Sequence, residues 1–112
     1  MTRTQRDEIP PGTLDMLILK TLARAGPMHG FQIADSIQKT TEDVLQVEEG
    51  SLYPALQRML IKGWIAGEWG KTDGNRRARY YRLSPDGQQQ LERELERYGR
   101  VARAIARILQ PA

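Results

Sequence analysis

A chain of 112 residues with 39% hydrophobic side chains has room for one small domain, and it is poor enough in apolar groups that a second copy is expected to complete its core. Seventeen Lys and Arg against fourteen Asp and Glu give a net charge of +3 and a pI near 9.5, a mild bias toward polyanions. The absence of cysteine excludes disulfides, thiolate catalysis and thiolate zinc sites, and one histidine leaves no serine triad or histidine metal site to build. The opening MTRTQRDEIPPG has no apolar h-region, and no stretch approaches the roughly 18 apolar residues of a membrane span, so a cytoplasmic protein without a membrane partner is expected.

Residues 1–12 are polar, end in Pro10-Pro11-Gly12 and read as a flexible N-terminal arm. From Thr13, the expected N-cap, Leu14, Leu17, Ile18, Thr21 and Leu22 recur at helical spacing until Gly26-Pro27 closes the helix. A second, shorter helix is expected from about Gly30 to Lys39, with Phe31, Ala34 and Ile37 on its inner side. A third runs from about Glu49 to Lys62 on the apolar stripe Leu52, Ala55, Leu56, Met59 and Leu60. Its opposite side, with Ser51, Pro54, Gln57, Arg58 and Lys62, is free for other work. Pro54 removes a backbone donor and presses on the carbonyl of Gly50, so the start of this helix should be bent or tight.

WIAGEW (64–69) and ARYYRL (78–83) are aromatic and apolar in the manner of strands and should pair as one antiparallel hairpin about an Asp73-Gly74 turn, with Trp69 and Tyr80-Tyr81 near its base. Its connecting GKTDGNRR lacks the spacing of a phosphate loop. Ser84-Pro85-Asp86 is a helix start. In the helix that follows, Leu91, Leu95, Tyr98, Ala102, Ile105 and Leu109 form an a/d seam with too little domain left to cover it, which predicts a homodimer.

Three helices followed by a hairpin is the order of a winged helix-turn-helix, in which the third helix enters the major groove and the hairpin is the wing. The expected architecture is therefore mainly α with a small β-hairpin: the arm at 1–12, a winged helix-turn-helix DNA-binding domain at 13–83, and a long C-terminal dimerisation helix at 84–112.

The stretches GTLDMLILKTL (12–22), GPMHGFQIA (26–34), GSLYPALQRM (50–59), KGWI (62–65) and RARYYRLSPDG (77–87) resemble the PadR family of bacterial transcriptional regulators, in order and in spacing, over nearly the whole chain. The single C-terminal helix is similar to that of the family's short subfamily. The resemblance implies a dimeric repressor that binds a palindromic promoter site in double-stranded DNA; no cofactor is expected, and one His with acids scattered over helix surfaces leaves no enzyme to expect. Residue by residue it implies DNA contacts at His29, Gly30 and Gln32, at Ser51, Tyr53, Pro54, Gln57 and Arg58, and at Lys71, Arg76, Arg77 and Arg79. It also implies that an aromatic in the last helix, here Tyr98 where the family commonly has Trp, can stack a small aromatic effector.

Each assignment has a competing reading. Gln57 and Arg58 suit base edges, Gln adenine and Arg guanine, while the wing cations suit phosphates. Tyr53 fits the core or a phosphate; His29 fits a helix cap or a phosphate; Gly30 can serve only to let helices approach. One of Tyr80 and Tyr81 must face the core. Tyr98 fits a plain seam position as well as a ligand platform. The competing function is a winged-helix module that docks a partner protein, its arginines serving solubility alone.

Overall fold

Met16, Ile18, Leu19 and Leu22 are buried along Leu14–Ala25, which forms the central helix α1. The buried arc is wider than one amphipathic stripe because other elements cover α1 on more than one side. The computed structural model describes residues 7–111, and the elements after α1 are β1 (Met28–His29), α2 (Gly30–Thr40), α3 (Glu49–Ile61), β2 (Ile65–Lys71), β3 (Arg77–Leu83) and α4 (Pro85–Leu109). The first six residues of the expected arm lie outside the described residues. Asp7, within its described part, donates its backbone N–H to Val44 O at 2.7 Å.

Thr13 stands at the N-cap position of α1 but does not cap it. Its hydroxyl donates to Pro10 O at 2.7 Å, closing the Pro-Pro-Gly turn instead. In α2 the inner face is Gly30, Ile33 and Ile37, with Ala34 beside them, and Phe31 is 70% exposed. The expected inward Phe31 is corrected by helical phase: positions 30, 33, 34 and 37 share a face, and residue 31 is rotated about 100° from residue 30. The apolar stripe of α3 is buried as expected at Leu52, Ala55, Leu56 and Met59. Glu48 O accepts from both Ser51 N–H (3.0 Å) and Leu52 N–H (2.9 Å), so the first turn is tight, and the helix then runs unbroken through Pro54.

The hairpin supplies two strands of a three-stranded antiparallel sheet in the order β1-β3-β2, with β3 in the centre. Met28 pairs with Tyr81 and His29 with Tyr80, a two-residue strand that the expected single hairpin lacked. Thr72 N–H donates to Arg76 O (2.8 Å) and Asn75 N–H to Thr72 O (2.9 Å), and the residue with positive φ is Asn75 (62°). The loop is thus Asp73-Gly74-Asn75, with Asn75 in the left-handed position expected of a three-residue hairpin loop. Counted from that loop, Trp69 lies toward the tip and not at the base.

Ser84 caps α4 as expected: its hydroxyl oxygen accepts from Gly87 N–H at 3.0 Å and donates to Gly63 O at 2.5 Å. Leu91, expected in the dimer seam, is 1% exposed and belongs to the core with α1. Replacing a side chain so enclosed by Ala costs about 2–5 kcal/mol. The apolar face left uncovered on α4 begins at Leu95 and continues through Tyr98, Val101 and Ile105 to Ile108 and Leu109, each 42–84% exposed.

Candidate nucleic-acid interface

Three elements converge on a concavity of about 660 Å³: His29 and Phe31 at the start of α2, Tyr53 on α3, and Trp69, Arg76, Arg77 and Arg79 on the wing. The fold therefore joins residues separated by 50 positions into one cationic, aromatic surface. Its depth depends on Gly30, which is buried: a Cβ there would stand 3.0 Å from the Tyr53 ring. Gly30 thus packs under Tyr53, and it also lines the concavity. Tyr53 is 48% exposed, its ring half-covered and the rest of it open to the concavity.

His29 and Gln32, expected among the DNA contacts, are tied to each other. His29 Nδ1 accepts from Gln32 N–H (3.4 Å) while Gln32 Oε1 accepts from His29 N–H (3.1 Å), a reciprocal cap on α2. The His29 ring meets the edge of Tyr80 at 5.4 Å, and Tyr80 in turn donates its hydroxyl to Lys71 O at 2.9 Å. Tyr81 is the tyrosine that faces the core. Burial pushes its phenol above the usual tyrosine range, against the opposing pull of the Arg79 guanidinium.

On α3, Ser51, Pro54 and Gln57 are exposed, as a reading helix requires. They are not equivalent. Ser51 opens on a separate hollow of about 460 Å³, beside Asp7, Glu8 and Glu48, where the acids repel a polyanion. Arg58, one of the two expected base readers, donates from Nη2 to Asp15 Oδ1 in the first turn of α1, so in the free protein it is an interhelical ion pair. Lys62 lies 4.7 Å over the Trp64 ring.

Wing residues alternate by register. Gly67, Trp69 and Lys71 stand opposite Tyr81, Arg79 and Arg77, and all six share the face that Tyr81 turns to the core. Arg79 lies over Gly67, where a Cβ would come within 2.5 Å of its Nε; that Nε is buried and bonds to none of the described residues. The Arg77 guanidinium lies over the Trp69 ring, 4.4 Å from its centroid. Lys71, Arg76 and Arg77 are exposed. Sequence reasoning missed Phe31 and Trp69 as members of this surface. Helical phase from Ile33 would have turned Phe31 outward, and strand pairing counted back from the loop would have set Trp69 opposite Arg79. Among the described residues no group of His, Asp or Glu could hold a metal ion, and no helix is long and apolar enough to cross a membrane.

The chain is similar in structure to a transcriptional regulator from Clostridium thermocellum, with a TM-score of 0.81 and 26% identity over 88% of this chain and 95% of that one. It is also similar to a PadR-like transcriptional regulator from Bacillus cereus, with a TM-score of 0.75 and 27% identity over 90% and 95% of the two chains. A PadR family transcriptional regulator from Eggerthella lenta gives a TM-score of 0.76 and 25% identity over 90% and 85%. The family model described as transcriptional regulator PadR-like matches residues 18–93. Because that match runs from within α1 into α4 and takes in both the exposed helix and the wing, the chain belongs to the PadR-like family of transcriptional regulators.

Proposed function

We propose that this DNA-binding regulator acts as a homodimeric repressor on a palindromic promoter site, each subunit setting α3 in the major groove and its wing on the adjoining backbone. The observation that supports this reading most is the shared concavity, which unites Tyr53 of α3 with three wing arginines on one side of the fold. Lys71, Arg76 and Arg77 grip phosphate and supply affinity, Gln57 reads a base edge, and Arg58 joins it when it leaves Asp15. The acidic hollow near Ser51 lies outside the footprint. The open strip from Leu95 to Leu109 is the seam on which the second subunit docks, so that two half-sites about one helical turn apart are held together. Tyr98, half-exposed above a hollow of about 300 Å³ shared with Met16 and Val101, is where a small aromatic effector would stack.

The test is binding to DNA from the region upstream of its own coding sequence over a salt series. Affinity should fall steeply as salt rises, with a log–log slope near −0.9 for each phosphate neutralised. Binding that is absent or indifferent to salt returns the molecule to the protein-docking reading.

A further inference from the structure

We propose that Trp69 is a positioning residue of the wing, holding the Arg77 guanidinium over its indole so that this one cation meets a backbone phosphate in a fixed orientation. The inference rests on the DNA-binding reading above and adds a division of labour within the wing.

Trp69 is 61% exposed on a short strand near the hairpin tip, so its ring is not a core element. The strand register gives it a different occupation. Trp69 and Arg79 are directly opposed, Lys71 and Arg77 are the next pair toward the tip on the same face, and Arg77 reaches back diagonally to lie over the ring, 4.4 Å from its centroid. A guanidinium seated over an indole keeps its planar fork of donors, which suits bidentate contact with phosphate. The neighbouring cations are held otherwise: Arg79 is laid over Gly67, and Lys71 is an ammonium that can offer no planar fork. Arg77 is therefore an exposed wing cation held in place before DNA arrives, and ordering it beforehand removes part of the entropy that binding would otherwise cost.

The experiment measures binding of the full chain to its upstream DNA, at several salt concentrations, for the wild type, Trp69→Leu, Trp69→Phe, Arg77→Ala and the double variant Trp69→Leu/Arg77→Ala, with a thermal melt of each. Trp69→Leu should weaken binding about threefold, the size of an exposed cation–π contact, and leave the salt slope unchanged because the phosphate contact is still made. Trp69→Phe, which keeps a ring, should recover most of that loss. In the Arg77→Ala background, Trp69→Leu should change nothing. A full threefold loss in both backgrounds, at equal melting temperature, would show that Trp69 acts independently of Arg77 and would overturn the proposal while leaving the DNA reading intact. Absence of salt-dependent binding by the wild type overturns the DNA reading itself, and this proposal with it.

Discussion

Arg58 of α3 reaches across to Asp15 in the first turn of α1, an ion pair between residues 43 positions apart that ties the exposed helix to the central one. Asp15 is the more enclosed partner, with its side chain 19% exposed against 47% for Arg58. The pair therefore restrains the one α3 arginine suited to guanine in the unbound protein.

Asp15→Asn should loosen that restraint in two measurable ways. Stability in urea should fall by about 1 kcal/mol, the upper end of the range for surface pairs, since this one is only partly exposed. Affinity for DNA of unrelated sequence should rise, because a released arginine adds one more cation for phosphate. If affinity is unaltered at all salt concentrations, Arg58 does not reach DNA in either state.

Gly87 tests how α4 is seated. A Cβ at this position would lie 1.9 Å from Trp64 O, a backbone atom that also accepts from Ser84 N–H at 3.0 Å. Gly87→Ala must lift the start of α4 off the sheet and should cost about 3 kcal/mol in a denaturation midpoint, at the upper end of overpacking effects. Gly99 in the same helix is the control, since its Cβ would meet only the end of the Arg103 side chain. Gly99→Ala should be neutral or stabilise by up to about 1 kcal/mol, through helix propensity alone.

Tyr81 sets an alkaline limit on stability. Because burial raises its pKa in the folded state, the unfolded chain releases the proton first as pH climbs. The contribution is therefore fully present below the unfolded value of about 10 and is lost as pH rises through the higher folded value. Urea unfolding should show stability declining above pH 10 in the wild type, and declining less in Tyr81→Phe. Parallel curves for the two proteins would assign the alkaline loss to other groups.

Much of this molecule was legible because local signals agreed with one another. Ser84-Pro85 fixed the start of α4, and the 52/55/56/59 spacing fixed the buried face of α3. What stayed hidden depended on tertiary partners. Leu91 satisfies the heptad spacing of the seam as well as Leu95 does, and nothing local says that α1 covers the first and leaves the second open. Met28–His29 is too short for any period to register, so a third strand appears only once Tyr80 and Tyr81 offer it an edge. Arg58 had the right helix and the right face for base reading; its carboxylate partner is on another helix.

Replacing Arg76 and Arg77 with Ala should weaken binding to all DNA sequences alike, since phosphates carry no sequence information. The salt slope should shrink by about 1 for each arginine that neutralises a phosphate, so by about 2 for the pair. Discrimination between the operator and unrelated DNA should be preserved. Loss of discrimination with an unchanged slope would instead place these side chains on base edges in a groove.

The seam prediction joins the exposed strip of α4 to the DNA reading. Leu95 is 42% and Ile105 52% exposed in the single chain, and both stand on the side of α4 that no other element covers. Leucine- or isoleucine-sized groups already about half covered gain about half of the ~1.5–3 kcal/mol of full burial when an interface closes over them, and a symmetric interface contains every group twice. Replacing both with Gln should therefore yield a monomer by sedimentation. The core around Leu91 should remain folded, because it is closed within one chain. Operator affinity should fall far more than affinity for unrelated DNA, since only a dimer spans two half-sites at once. A variant that sediments as an intact dimer would move the interface off this strip, and a monomer that still binds its operator tightly would mean that one winged-helix unit recognises the site alone.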